Sequence, residues 1–440
     1  MQRYVIVGSG VAGISAIEAL RETDRSGEIT LIGDEVHNYY SRPGLAYYLT
    51  GELAEEYLFP LSRNDFKNLN LRHLQARVVS IDPLEHRLRL NTGETLNYDR
   101  LLIAVGASAL SLNIPGNDLA GVVKLDNLED ARQIIRLARK ARRAVVVGGG
   151  ITALEIVEGL LARGVRTHFL LRGETYWSNV LDQVESGIVL HKLQEEGVQV
   201  HFNTEIEKIL GNRGKVAGIQ TRDGQRLACG ILAYAIGVRP RIQLAQASGL
   251  KTNRGILVDN QLRTNASDVF AAGDVAEVYD PFSGRSVIDS LWGPARDQGR
   301  IAGKNMAGVS AHYSKPIPFN VTRLANLTTM IIGTVGKGVD HDLVGIARGD
   351  SETWRQLPEA IAAQSDFDVN RLRILVGQRT LLGAIVMGDQ SLSKALHHLI
   401  INKVDISAIR DRLLQAGAPL ASLITDHYLK LREADARTLH

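Results

Sequence analysis

The stretch Arg3–Glu22, RYVIVGSGVAGISAIEALRE, decides the fold. A short β-branched strand, beginning with MQRYVIV at Met1–Val7, runs into Gly8, Gly10 and Gly13 in the spacing G-x-G-x-x-G. An amphipathic helix rich in Ala, Ile, Leu and Glu follows. The first glycine permits a tight turn, the second lets a pyrophosphate approach the backbone, and the third lets the helix pack close to the strand. Free N–H groups and the partial positive charge at the helix start complete an anion site. A second strand is expected over Ile29–Ile32. Asp34 and Glu35 then stand about 20 residues beyond the glycines, where an acid would meet ribose hydroxyls, and Asp34 is favoured.

The same grammar returns at Arg143–Gly164, RAVVVGGGITALEIVEGLLARG. Gly148, Gly149 and Gly150 make the turn, Ala153 takes the third packing place, and a strand over Thr167–Leu171 follows. Where an NAD-preferring site would offer an acid, the chain has Leu171 and then Arg172. An arginine there suits a 2′-phosphate better than a free hydroxyl pair, so the reading leans to NADPH over NADH. Ser178 stands where a second clamping arginine would be expected, and the plain alternative is that Arg172 is a solvated surface residue.

Outgoing strands are expected in Leu101–Ala109 and Leu227–Val238, further short strands in Gly255–Val278, and a helix over Gly293–Met306. From about Ala311 the texture changes. Val321–Val335 and Arg371–Gly388 show hairpin signals, Leu392–Val404 and Ile406–Leu413 read as helices, and the polar tail after His427 is expected to fray.

The chain has 440 residues and 48.1 kDa, which suggests about two to four domains. Fifty-one Lys and Arg against 48 Asp and Glu leave a net charge of +3, which gives no support for a nucleic-acid binder. The single cysteine, Cys229, excludes an intramolecular disulfide, a four-thiolate metal site and a dithiol redox pair within the chain. It reads as a small buried residue. No metal site is expected, because the histidines lack ligand spacing and the adjacent His397 and His398 point in different directions on a helix. No apolar run approaches the roughly 18 residues of a membrane helix, and the N-terminus opens directly into a strand, so a cytoplasmic protein without an integral membrane segment is expected.

Taken together, GSGVAG at Gly8–Gly13, YYSRPGLAYYLTGE at Tyr39–Glu52, YDRLLIAVGA at Tyr98–Ala107, GGGITALE at Gly148–Glu155, AIGVRP at Ala235–Pro240 and TNASDVFAAGDV at Thr264–Val275 resemble the FAD-dependent pyridine nucleotide-disulfide oxidoreductase family. The likeness is greatest to its single-FAD branch of ferredoxin, rubredoxin and nitrite reductase flavoproteins. It implies an α/β fold of two Rossmann-like dinucleotide-binding domains with a C-terminal α+β interface domain. The implied FAD domain is 1–112 with 247–310, the NAD(P) domain 113–246, and the interface or dimerisation domain 311–440. By resemblance Arg42 and Pro43 lie against the FAD, Ala104, Gly106, Gly237 and Gly273 border the nucleotides, and Asp274 binds the ribityl chain. The helix starting near Pro294–Ala295 aims its N-terminus at the flavin, where its dipole would stabilise an anionic reduced ring. Trp292 could cover that ring or pack in the core.

The implied function is hydride transfer from NAD(P)H to flavin N5. Electrons then leave for a ferredoxin- or rubredoxin-like carrier, a nitrite or nitrate reductase partner, or a small acceptor. The alternative is a slow FAD-bearing redox sensor, with the C-terminal domain as its partner surface or homodimer interface. Two departures from the family pattern matter. The redox cysteines expected near Pro43–Tyr48 are absent. The lysine that normally pairs with the glutamate at position 155 is replaced by Tyr47. Glu155 and Tyr47 are therefore the candidate catalytic residues, with Tyr47 free to hydrogen-bond Glu155, to shield the flavin, or merely to pack.

Overall fold

Five parallel strands, in the order Val269–Ala271, Arg100–Ile103, Arg3–Val7, Glu28–Gly33 and Leu71–Gln75, form the first sheet of the computed structural model, which describes residues 1–281, 283–336, 343–349 and 370–438. Tyr4, Val5, Ile6 and Val7 are all buried, as a strand covered on both faces requires. The strand Val269–Ala271 comes from far along the chain, so one sheet and one core join the N-terminal segment to residues beyond Ala245. The glycine-loop helix Val11–Thr23 crosses the helix Trp292–Met306 through Gly299 and Gly303; a Cβ at either would strike the backbone of Ala12 or Ala16.

The second sheet is also parallel, ordered Gln199–His201, Arg166–Leu170, Arg143–Val147, Ile231–Tyr234 and Val122–Lys124. Its glycine-loop helix is Ile151–Leu161. The halves are fixed to one another in several places. The strands Ala107–Ala109 and Val238–Pro240 pair antiparallel. The helix Gly44–Thr50 also docks on Ile151–Leu161 at Gly159, where an added Cβ would come within 2.7 Å of Leu49 Cβ. Arg163 then donates to the carbonyls of Leu49 and Tyr48 at 2.8 and 3.1 Å, closing the C-terminal end of that short helix.

The third sheet is antiparallel, in the order Phe319–Leu324, Leu327–Gly333, Leu381–Met387, Arg371–Gly377 and Leu343–Gly349. The hairpin expected within Val321–Val335 turns at Ala325 and Asn326, with φ of 47° and 64°, the left-handed pair that a two-residue hairpin turn needs. Helices Ser393–Ile401 and Leu420–Thr438 cover this sheet.

One expectation needs correction here. Helix at 406–413 is confined to Arg410–Leu413, because the Asp405 carboxylate takes the Ser407 N–H and holds the preceding residues in a turn. The polar tail is helical past His427: buried Tyr428 and half-buried Leu431 continue the apolar stripe of Leu420, Leu423 and Ile424, and the helix runs on to Thr438. Residues 337–342, 350–369 and 439–440 of the expected C-terminal domain lie outside the described residues, as does Phe282. Among the described residues no helix is long and apolar enough to cross a membrane.

Candidate active site

A cavity of about 870 Å³ opens at the carboxyl ends of the first sheet, ahead of the helix Val11–Thr23. Gly10 N-caps that helix without any side-chain cap, and a Cβ on Gly10 would meet nothing within 4 Å. The helix N-terminus thus presents bare N–H groups to open space, the requirement for holding a phosphate. The other two glycines act differently. Gly8, at φ 115°, lets the turn pass beneath the Ala104 carbonyl, and Gly13 lies against the Gly8 carbonyl, so each serves close packing.

The cavity gathers most of the first site's expected residues. Asp34 and Glu35 follow the second strand into it, and Arg42, Ala104 and Gly106 line it. Gly273, Asp274 and Ala295 close another side. Arg42 Nη2 donates to Glu35 Oε1 at 2.6 Å, Arg42 Nη1 donates to the Asp126 carbonyl, and Tyr40 Oη donates to Glu35 Oε2 at 2.8 Å. Glu35 is therefore committed within the protein, whereas Asp34 meets the exposed Arg77 only at 3.6 Å and keeps oxygen to offer a ribose. The Asp274 carboxyl is pushed up by burial, against the opposing pull of Arg42. Its turn is held by Gln298, whose Oε1 accepts the Gly273 N–H at 2.8 Å.

The helix expected from Gly293 begins at Trp292 and places Pro294 in its first turn. Trp292 is 42% exposed with the Arg296 guanidinium 5.4 Å above its ring, so it is not a core residue. Pro43 N-caps the helix Gly44–Thr50 beside Arg42.

The second glycine loop repeats the geometry. Gly148 sits at φ 147°, Gly150 N-caps Ile151–Leu161 with no side-chain cap, and a Cβ on Gly149 or Gly150 would meet nothing within 4 Å. Ala153 is buried behind the loop, and Gly237, at φ 119°, lies between the second sheet and the interdomain strand pair. Arg172 is exposed and makes no hydrogen bond or ion pair with other described residues.

On the helix behind this loop, burial pushes the Glu155 carboxyl up to about 7, with the neighbouring Glu158 adding to the effect. Glu158 also rises to about 7 through burial, opposed by Arg323 and by the backbone N–H groups of Ala325 and Asn326. Burial, with both glutamates nearby, holds the Tyr176 hydroxyl well above its ordinary value. Tyr47 does not hydrogen-bond Glu155. It is 43% exposed beneath the Arg323 guanidinium at 5.4 Å, and Arg323 donates to Glu52 at 2.8 and 2.6 Å. Arg323, brought in by the C-terminal hairpin, was not legible from the sequence, nor were Asp126 and Arg241 beside Arg42; nothing in their local spacing marks them. Cys229 is buried, and burial pushes its thiol up to about 12. Among the described residues no group of three or more His, Cys, Asp and Glu could hold a metal ion.

A family model described as pyridine nucleotide-disulphide oxidoreductase matches residues 2–299. The chain is 33% identical over 424 residues to the ferredoxin–NAD(+) reductase component of the biphenyl dioxygenase system of Paraburkholderia xenovorans, covering 95% of this chain and 97% of that one. It is 30% identical over 347 residues to a rubredoxin–NAD(+) reductase of Pseudomonas putida, covering 78% and 89%. Among solved structures, the ferredoxin reductase for the CYP199A2 system of Rhodopseudomonas palustris superposes with a TM-score of 0.83 at 22% identity, covering 96% of this chain and 99% of that one.

Proposed function

The chain belongs to the pyridine nucleotide-disulphide oxidoreductase family and is an oxidoreductase, and from that premise we propose that it oxidises NADH or NADPH with FAD as its resident cofactor and delivers the electrons directly to an external acceptor. The observation that carries the reading is the pair of uncapped glycine-loop helices, Val11–Thr23 and Ile151–Leu161, joined into one body by the docked helix Gly44–Thr50. The first cavity fits an FAD: it has bare N–H groups for a pyrophosphate at Gly10, an available acid at Asp34, and a half-buried carboxylate at Asp274. When bound, FAD supplies hydride acceptance and the later release of electrons.

The chain's own residues bind and orient. Gly8 and Gly13 shape the first turn, Arg42 braces the Glu35 side of the cavity, and Gly148, Gly150 and Ala153 shape the cradle for the nicotinamide nucleotide. Glu155, with its carboxyl near 7, exchanges its proton within the neutral range beside that cradle. Tyr47 and Arg323 cover the same helix from outside. We read residues 1–112 with 247–310 as the FAD domain, 113–246 as the nicotinamide domain and 311–440 as an interface domain. Exposed Phe319 and Val321 on the edge strand of that last domain offer a surface for a homodimer.

The names of the relatives favour a ferredoxin- or rubredoxin-like carrier as acceptor. The deeply buried, protonated Cys229 supports an exit that uses no protein thiol. Steady-state oxidation of NADH and NADPH with ferricyanide, and then with a small ferredoxin or rubredoxin, tests the proposal. Sustained turnover is expected; a single slow reduction without turnover would contradict it. Exposed Arg172, without a partner among the described residues, supports the finer preference for NADPH. Arg172→Glu should move the NADPH/NADH ratio of kcat/KM toward NADH by about tenfold or more, and an unchanged ratio would remove Arg172 from nucleotide recognition.

A further inference from the structure

We propose that the C-terminal domain completes the second nucleotide cradle: Arg373 is a positioning residue that holds the loop carrying Trp177 against Gly149. This rests on the reading of Gly148–Gly150 as the nicotinamide nucleotide cradle. The loop leaves the strand Arg166–Leu170 at the place where the glycine-loop pattern reads the ribose, and it ends at the helix Gln183–Glu195. At its middle the Trp177 N–H donates to the Gly149 carbonyl at 3.0 Å, so loop and glycine turn form one surface. Trp177 sits at φ 49°, a left-handed conformation that a bulky side chain keeps only where its surroundings over-determine it.

Those surroundings reach into another domain. Arg373, on the strand Arg371–Gly377, is 5% exposed and spends all three guanidinium nitrogens. Nε donates to Glu185 Oε1 at 2.8 Å, Nη2 to the Val180 carbonyl at 2.7 Å, and Nη1 to the Val335 carbonyl at 2.9 Å. Glu185 is fully buried; its Oε2 accepts the Asp182 N–H at 3.0 Å, and the Asp182 side chain accepts the Glu185 N–H at 2.9 Å. The arginine therefore holds the loop by a carbonyl and, through Glu185, by the capping box that ends it. Gly336 presses on the same loop, since a Cβ there would strike the Asn179 carbonyl. Replacing a buried ion pair by apolar groups is commonly neutral or stabilising, so this pair is better accounted for by fixing a geometry than by adding stability. A lysine offers a point charge and cannot reproduce three directed bonds.

The test uses the FAD-loaded full chain. Arg373→Lys keeps the charge, and Arg373→Gln with Glu185→Gln removes both charges together. Calorimetric binding of oxidised NAD+ and NADP+ is read beside FAD content and ferricyanide kinetics. A misplaced loop should raise Kd and KM for the nucleotide about tenfold, with FAD content and kcat at saturation unchanged within about twofold. Folded variants with unchanged Kd would overturn the proposal, and so would loss of FAD in step with nucleotide, since that marks a merely structural role. If the arginine variants do not fold, Gly336→Ala decides, because its Cβ would push on the Asn179 carbonyl and displace the loop with Arg373 intact. Weaker nucleotide binding with intact flavin supports the proposal, and unchanged binding overturns it. A wild type that holds FAD yet binds neither NAD+ nor NADP+ would show instead that the cradle reading itself fails, and the inference with it.

Discussion

Gly10 and Gly8 are two residues apart and separate binding from folding. A side chain at Gly10 enters open space in front of a helix N-terminus, whereas one at Gly8 meets the Ala104 carbonyl with the backbone at φ 115°. Gly10→Trp should therefore fill the phosphate cradle and abolish flavin binding while the far-ultraviolet circular dichroism stays native. Gly8→Val should lose folded protein outright. A yellow Gly10→Trp protein would disprove the placement of the cofactor. At this scale the sequence was informative wherever spacing carries chemistry. Gly8, Gly10, Asp34, Arg42 and Asp274 line one cavity. It was silent about Arg323 and Arg373, whose partners Glu52 and Glu185 lie 271 and 188 positions away in the chain. It also left Tyr47 open, and the structure stacks it with Arg323 rather than bonding it to Glu155.

The helix Ile151–Leu161 carries both the second glycine turn and a pair of half-buried carboxyls. Glu155 and Glu158 lie three positions apart on it, and both rise to about 7 through burial. Because these values exceed the unfolded glutamate value of about 4.3, the folded state binds more protons between the two. Stability should therefore fall as pH rises through that window, with the loss complete above about pH 7. Glu155→Gln removes one such group, so its melting temperature should exceed that of wild type at pH 8 and approach it at pH 5. An equal difference at both pH values would show that Glu155 is not a raised, buried acid. Elements of this kind were largely legible, because a strand–glycine–helix unit is local. The exceptions are also local in cause: the Asp405 side chain shortens one helix, and Tyr428 with Leu431 lengthens another.

For the molecule as a whole, two parallel sheets each open a glycine-loop helix, and the docked helix Gly44–Thr50 with the strand pair Ala107–Ala109 and Val238–Pro240 ties them together. The repeat in the sequence announced the two cradles. Their relative placement depends on packing between distant segments, such as Leu49 on Gly159, which no local pattern encodes. In the proposed reaction a nicotinamide nucleotide bound at one cradle reduces a flavin held in the other. The most direct measurement is the visible flavin absorbance of the purified, FAD-loaded chain during anaerobic titration with NADH and NADPH. Rapid bleaching is expected, complete at about one equivalent of the preferred nucleotide, with return of colour on adding ferricyanide. A flavin-loaded protein that binds either nucleotide yet keeps its colour indefinitely would contradict the proposed reaction.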